Sequence, residues 1–491
     1  MRIRATMSLL GEILMLLGAT LVLPMIVAIH DKTSTAPFLI PLFLSILIGF
    51  ILRSLDKNPQ IGTKEAFLLV SVAWLAVAIV GALPYILSGK SSLANPVNAL
   101  FESMSGFTTT GATVLDNFNT PSRAIMFWRQ LIQWLGGMGI VVLAIAILPR
   151  LSVGGAELMS LEAPGPQLQK LTPHIRRTAR IFWIIYVSLT GLETLILSVL
   201  HYLDMAPKMT PYMALVHSFT TMSTGGFSPL ALSIKAFSPA VQWVITVFMI
   251  LAGANFALFW YLLRGDFRIV KNEEFRWYVG ILFILSIILV PMLMKQYNFT
   301  PLTAFRQALF QVAAIVTTTG YATMDFAKWI LPAQFILFVA MFIGGSSGST
   351  AGSIKVVRWI IATKTATREL FTSFHNNAVK SVKLGGKAVS ERSIRGVLAF
   401  IVLYFAIFFI SSLIVVLNGT TTGRPISLAS SMSAVAATLG NIGPGIGSVG
   451  PIANYLIFPA STKILMFLLM WLGRLEIITA IVLFTPRYWK W

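Results

Sequence analysis

Four short clusters carry the most suggestive chemistry in this chain: Thr109-Thr110-Gly111-Ala112, Ser223-Thr224-Gly225-Gly226, Thr318-Thr319-Gly320-Tyr321 and Thr438-Leu439-Gly440-Asn441. They supply oxygens rather than acids, bases or nucleophiles. Backbone carbonyls arranged in a ring can replace the hydration shell of potassium, and Thr or Ser hydroxyls can add further ligands. Glycine assists because it has no Cβ to clash when carbonyls turn toward a common axis. The chemistry on offer is coordination of a dehydrated monovalent cation, with these residues as the candidate filter.

Such clusters need elements that bring them together. Each follows a short segment opening with proline (Pro96, Pro211, Pro301 and Pro425), and proline suits the first turn of a helix. The central glycines, Gly111, Gly225, Gly320 and Gly440, follow those prolines by 14 or 15 residues in three cases and by 19 in the third. Each short segment can therefore enter a membrane as a half-helix without crossing it. A long apolar span precedes each one, near 66–88, 178–203, 277–297 and 394–417. A second span follows, with a small residue at one shared register: Trp134-Leu135-Gly136-Gly137, Ile250-Leu251-Ala252-Gly253, Phe342-Ile343-Gly344-Gly345 and Trp471-Leu472-Gly473-Arg474. Small residues could merely let helices approach closely. Four equivalent breaks behind proline-led half-helices argue instead for one shared cavity, since backbone that leaves the helix at membrane depth must be buried or line water. The half-helices would aim their partially negative C-terminal ends into it, favouring a cation.

Composition agrees. Of 491 residues, 56% are hydrophobic and 11% charged, against roughly 25% charged in soluble domains, which excludes a water-soluble fold. The run from Met7 to Ile29 is too long for a signal-peptide core. With Pro37 to Leu52 it reads as two ordinary spans. The chain has no cysteine, which removes disulfides, thiolate metal sites, iron–sulfur clusters and a cysteine nucleophile. Its net charge of +20 is asymmetric: 25 of the 37 Lys and Arg fall on one side, at Arg2, Arg4, 53–65, 150–180, 264–276, 355–396, Arg487 and Lys490. That side is expected to be cytoplasmic, with both termini, and suited to acidic membrane lipid. Nucleic-acid binding is not needed to explain it. The histidines (30, 174, 201, 217 and 375) lack metal-ligand spacing, and Gly385-Gly386 is too short for a phosphate loop. No constellation for a membrane enzyme is visible, so the chain is read as a non-enzyme.

Further residues bear on control. The third unit's second span is interrupted by Gly344-Gly345-Ser346-Ser347-Gly348-Ser349-Thr350-Ala351-Gly352-Ser353, a poor helix former. It reads either as a tight helix crossing or as a movable loop obstructing the path, and order–disorder of such segments is a common switch. Arg474 lies deep in an apolar span, where a charge usually faces a cavity or partner. It reads as a barrier beside the pore that contacts the loop, or as a structural arginine satisfied by carbonyls. Glu476, two residues on, is on another helix face. Asp116 and Asp325 read either as an acidic outer vestibule that concentrates cations or as solvated loop charges, and Glu102 reads as a buried acid bonded to a neighbouring repeat. The basic stretch 355–396 suits a topological role or a docking surface for a cytosolic regulator.

Several longer motifs complete the pattern: Phe101-Glu-Ser-Met-Ser-Gly-Phe-Thr-Thr-Thr-Gly111, Phe219-Thr-Thr-Met-Ser-Thr-Gly-Gly-Phe227, Gly344 to Gly352, Ala437-Thr-Leu-Gly-Asn-Ile-Gly-Pro-Gly445 and Leu472-Gly-Arg-Leu-Glu476. On these the chain resembles the Trk/Ktr/HKT superfamily of potassium transporters, and within it the Trk membrane subunits, over nearly its whole length. The resemblance implies an all-α integral membrane protein of about ten transmembrane helices, two N-terminal helices (1–62) preceding four pore repeats (63–165, 166–270, 271–388 and 389–491). It implies a homodimer with one pore per protomer, a cytosolic nucleotide-binding RCK partner, and 344–352 as the intramembrane gating loop. Gly440 stands where Trk subunits commonly carry asparagine and Ktr proteins glycine. The expected activity is channel-like potassium uptake across the cell membrane, with proton- or sodium-coupled symport as the alternative. Potassium is then the substrate, held at the filter alone, and no covalently bound cofactor is expected.

Overall fold

The computed structural model describes residues 2–139, 175–375, 378, 380–423 and 425–489. Most of the basic segment 150–180, the expected join of the first two repeats at 165/166, and Lys490 lie outside them. The described residues are almost wholly helical. Their one sheet is a hairpin of Lys383–Leu384 against Lys387–Ala388. Gly385 and Gly386, at φ +55° and +80°, form its two-residue turn, the geometry that right-twisted strands favour.

Two N-terminal elements, Ile3–His30 and Ala36–Arg53, pack on the first outer helix. Ala5, Leu9, Leu10 and Leu14 meet Ile61, Ala66, Leu69 and Ala73 there. Four outer helices follow in order: Thr63–Ser88, Ile175–Tyr202, Glu273–Tyr297 and Glu391–Thr421. The last three are apolar all round but bury only one stripe, whereas the first, covered by the N-terminal pair, is half buried. In Glu273–Tyr297 the buried residues are Tyr278, Leu282, Ser286, Leu289 and Leu293, while Ile284, Ile287 and Ile288 are exposed. A helix with that pattern has hydrocarbon for its outer solvent.

The half-helices are Pro96–Phe107, Pro211–Met222, Pro301–Val316 and Leu428–Leu439. Side-chain oxygens cap all four: Asn95 accepts from Val97 N at 3.0 Å, Thr210 from Met213 N at 3.4 Å, Thr300 from Thr303 N at 3.4 Å and Ser427 from Ser430 N at 3.2 Å. The fourth departs from the sequence reading, which started it at Pro425. Ser427 satisfies the first free N–H groups, so the helix begins three residues later.

Every inner span is broken, although an interruption was expected only in the third. The first ends at Gly137. The second, Pro239–Ala252, turns by 98° into Phe256–Leu263. The third, Leu331–Ala340, gives way to irregular chain over 341–355 before Val356–Phe374. The fourth, Ala460–Arg474, turns by 110° into Ile478–Phe484. Six helices among the described residues could each cross a membrane unbroken, and the bent pairs raise this to eight. The other two of the expected ten are the first inner span, of which the described residues reach only to 139, and the third, which the loop keeps from being a single helix.

The small-residue register explains why inner spans sit so close to half-helices. A Cβ on Gly136 would overlap the carbonyl of Phe107, and one on Gly473 that of Leu439, each the last residue of a half-helix.

Candidate cation pathway

Each half-helix ends on a left-handed residue that is not glycine: Thr109 (φ 53°), Thr224 (53°), Thr318 (57°) and Asn441 (54°). The following amide reaches back into the helix in three units, Thr110 N to Ser105 O at 2.8 Å, Gly225 N to Thr220 O at 2.9 Å and Ile442 N to Ala437 O at 2.8 Å. This Schellman closure uses up the last helical carbonyls and sends the chain off as extended backbone. Two positions beyond the left-handed residue a glycine takes positive φ in every unit: Gly111 (82°), Gly226 (73°), Gly320 (76°) and Gly443 (98°).

These glycines define a ring. A Cβ on Gly111 would overlap the carbonyl oxygen of Gly225; on Gly226, that of Thr319; on Gly320, that of Ile442. On Gly443 it would lie 2.6 Å from the carbonyl oxygen of Thr110, which returns to the first unit. Four carbonyls, from Thr110, Gly225, Thr319 and Ile442, therefore stand one per unit around a closed circuit.

The register differs from the sequence reading in two loops. In the second, the ring glycine is Gly226, and Gly225 is the carbonyl-bearing residue before it. In the fourth, it is Gly443. Thr438 and Leu439 belong to the last turn of the half-helix, and Gly440 is its cap at φ −82°. The cause is the later start at Leu428: the ring glycine then follows the first helical residue by 15 positions, as Gly111 follows Pro96 and Gly226 follows Pro211. The third half-helix has 16 residues against 12 in the others, one more turn, which accounts for its longer spacing. The contrast between Gly440 and asparagine then concerns the cap of the half-helix, since Gly440 is not the ring glycine. Among the remaining candidates, Ser223 caps the second half-helix, and Ala112 and Tyr321 follow their ring glycines, buried.

Neighbouring units brace the loops. Asn441 donates to Thr110 Oγ1 at 3.0 Å and to Met470 O at 2.9 Å. Tyr455 donates to Gly443 O at 2.6 Å, and its own amide to Thr113 O at 2.8 Å. Tyr321 Oη contacts Thr220 Oγ1 and donates to His217 O at 3.1 Å. Glu102 bonds within its own unit rather than to a neighbouring one. It accepts from Arg129 Nε at 2.6 Å, Thr113 Oγ1 at 2.9 Å and Val114 N at 2.8 Å. Arg129 makes the link between units, donating to Ser228 O at 2.9 Å with its guanidinium 3.5 Å from the centre of the Phe227 ring. Arg129 escaped the sequence reading. A charged residue in an apolar span, like Arg474, was the signal available.

The 344–353 loop lies against all four units on the side of the ring where the C-terminal ends of the half-helices lie. Thr350 Oγ1 donates toward Met222 O (3.1 Å) and Ala252 O (3.2 Å), Gly352 N donates to Thr318 Oγ1 (2.8 Å), and Gly352 sits close against the Gly440 carbonyl. Arg474 supplies the contact to the first unit. It donates to Thr109 Oγ1 at 3.2 Å, Thr350 O at 2.9 Å, Gly136 O at 2.9 Å and Gly137 O at 3.1 Å. Both readings of Arg474 thus describe real contacts: it is satisfied by carbonyls, and it touches ring and loop. Lys355 donates to Ala351 O, Ser347 N to Glu274 at 2.6 Å, and Ser346 N to Gly253 O at 2.8 Å. Glu476 pairs with Arg358, just beyond the loop.

On the other side of the ring a cavity of about 140 Å³ is lined by Gly111, Gly226, Gly320, Gly443, Asp116 and Arg129, among others. Asp325 is not among its lining residues; it caps Ala327 N at 3.3 Å and lies 3.7 Å from Lys328. Slight burial pushes the Asp116 carboxyl up. The amides of Ser92 and Asn117 and the Ser92 hydroxyl outweigh that and hold it below the usual range.

Four re-entrant helices that end on one axis, over a closed ring of carbonyls, define a polytopic membrane protein built around a central ring of backbone oxygens. The chain belongs to the TrkH family of cation transport proteins, whose model matches residues 35–491. It is 38% identical over 499 residues to the Trk system potassium uptake protein TrkH of Salmonella typhimurium, with all of both chains covered. It is 32% identical to the Trk system potassium uptake protein TrkG of Escherichia coli, with 99% of each covered. Among solved structures it matches the crystal structure of the potassium transporter TrkH from Vibrio parahaemolyticus, with a TM-score of 0.86, 34% identity and full coverage of both chains.

Proposed function

We propose that the chain is the membrane component of a potassium uptake system and conducts potassium through the four-carbonyl ring. The observation that carries this is the cyclic contact of Gly111, Gly226, Gly320 and Gly443 with the carbonyls of the next unit. It supports a site able to replace a cation's hydration shell from all sides at once. Entry is by way of the Asp116 vestibule, and passage is controlled by the 344–353 loop with Arg474. In this reading the four pore repeats are independent structural units of one pore, and the protein works in the cell membrane as a homodimer with both termini cytoplasmic. A cytosolic nucleotide-binding RCK protein docks on the basic face. The kinship to proteins named as parts of Trk potassium uptake systems supports a role within a system of more than one component.

Ion-coupled symport is kept as a second reading because of Glu193. It is fully buried in the second outer helix, with neither carboxylate oxygen in a hydrogen bond of good geometry and the Thr221 hydroxyl close by. Intramembrane acids of this kind serve as proton relays in transporters. Reversal potentials in proteoliposomes under imposed potassium, sodium and proton gradients decide. Channel-like conduction gives a potential set by potassium alone. Uphill potassium accumulation driven by a proton or sodium gradient with the membrane potential held at zero establishes coupling.

A further inference from the structure

The four ring carbonyls are not equivalent. In the first, third and fourth loops the residue before the ring glycine carries a side chain (Thr110, Thr319 and Ile442), whereas the second has Gly225. Gly225 does not adopt positive φ, so its conformation does not demand glycine. Space does. A Cβ there would lie 2.5 Å from Cδ and Oε1 of Gln133, a fully buried side chain reaching across from the first inner span.

Gln133 fills that space and bonds to the loop at both ends. Its Nε2 donates to the Gly225 carbonyl at 2.7 Å, and its Oε1 accepts from Phe227 N at 2.9 Å. A carbonyl only accepts and an amide N–H only donates, so these partners fix the orientation of the side-chain amide. The Gly225 oxygen is also the one that abuts Gly111 in the ring. Among the described residues, no side chain donates to the Thr110, Thr319 or Ile442 carbonyl. At the matching register the other inner spans carry Met249, Met341 and Met470, which have no N–H or O–H to give.

We propose that Gln133 is a specificity-determining residue of the ring: by donating to Gly225 O from behind, it weakens one of the four cation ligands and holds that loop in place. This rests on the reading that the ring coordinates the permeating cation. A donated hydrogen brings partial positive charge up to an oxygen that must also face the cation, so its field at the ion falls. A weaker field penalises the smaller, more strongly hydrated sodium more than potassium, and Gln133 thereby favours potassium.

The test uses the full-length protein in proteoliposomes, with bi-ionic potassium/sodium reversal potentials. Gln133→Met gives this unit the residue its counterparts carry. It should lower the potassium-to-sodium permeability ratio by roughly two- to ten-fold, the range corresponding to one neutral hydrogen bond. A purely structural glutamine would lower both fluxes together and leave the ratio at the parental value, which overturns the proposal. Gly225→Ala alone should be poorly folded, and Gln133→Ala with Gly225→Ala should recover folding while keeping the lowered ratio. That double variant supplies the measurement if Gln133→Met is not obtained folded, and a parental ratio in it is equally fatal. Gly111→Ser separates the two levels. If it shifts the ratio and the Gln133 variants do not, the proposal falls while the ring remains the filter. If none of them shifts it, the reading of the ring falls as well.

Discussion

Arg474 holds four oxygens that belong to three different structures: Gly136 and Gly137 at the break of the first inner span, Thr109 at the ring, and Thr350 in the loop. Its equivalents in the other units are glycines, two of which face the cap of the next half-helix, Gly137 against Ser223 and Gly253 against Thr317. The arginine thus occupies the same junction between fourth and first units, but adds a charge. Arg474→Ala should raise potassium flux in liposomes, because it removes a fixed positive charge beside the path and releases the loop carbonyl. It should also lower thermal stability, since hydrogen bonds from a charged donor are worth about 1.5–3 kcal/mol each. Arg474→Lys keeps the charge without the planar fork and should conduct nearer to the parental rate. A well-folded alanine variant with parental flux would remove the barrier role. The register of the fourth loop has its own residue-level check. Gly443→Ser should reduce potassium-to-sodium selectivity at least several-fold, since its φ is left-handed and its Cβ would crowd Thr110 O. Gly440→Ser, in an αR cap, should cost stability and leave the ratio alone; the reverse outcome would restore the register read from sequence.

At the scale of elements, the 344–353 segment is a loop with a closed base. Gly344 N donates to Ile354 O at 2.8 Å and Val356 N to Gly345 O at 3.1 Å, so the two ends of the excursion already lie side by side. Deleting Ser346 to Gly352 should therefore leave inner span and base intact while clearing the space beneath the ring. Basal cation flux should rise and its dependence on the cytosolic partner weaken; a folded deletion variant no faster than the parent would place the gate elsewhere. The loop was visible in sequence because eight Gly and Ser in ten residues cannot be mistaken for helix. The other three breaks were not. Apolar residues run unbroken through Leu251-Ala252-Gly253-Ala254 and Leu472-Gly473, and the bends there come from packing on the half-helices, which composition does not encode. The half-helix starts were legible where proline and cap coincide, at Asn95-Pro96, Thr210-Pro211 and Thr300-Pro301. At Pro425 the proline precedes the Ser427 cap by two residues, and choosing proline over cap shifted the whole fourth cluster by three. Gln133 could not be read at all, because its meaning lies in partners more than ninety residues away.

For the whole molecule the governing feature is an uneven charge distribution around a closed ring. Most of the Lys and Arg lie on the expected cytoplasmic side, and several are tied into pairs there: Arg358 with Glu476, Lys364 with Glu273, Arg368 with Glu391. The opposite mouth carries Asp116, exposed, with the Ser92 amide, the Ser92 hydroxyl and the Asn117 amide all donating to its Oδ1 and holding the carboxyl below its usual range. A negative charge at the rim of a low-dielectric cavity raises the local concentration of cations without binding them, so its removal should act on capture and leave passage through the ring unchanged. Asp116→Asn should raise the potassium concentration for half-maximal uptake by about two- to five-fold at low ionic strength, and by less at physiological salt, where charges farther apart than about 8 Å are largely screened. The maximal rate should stay at the parental value. Acidification adds a second arm. A carboxyl held below its ordinary value keeps its charge as pH falls through the usual aspartate range and loses it only below that, so in the parent the half-maximal concentration should be flat from neutral pH to about pH 5. Uptake by the asparagine variant should show the raised half-maximal concentration at every pH. A variant whose maximal rate falls while its half-maximal concentration is unchanged would mean that Asp116 supports the loop after Gly111 and does not steer ions toward it.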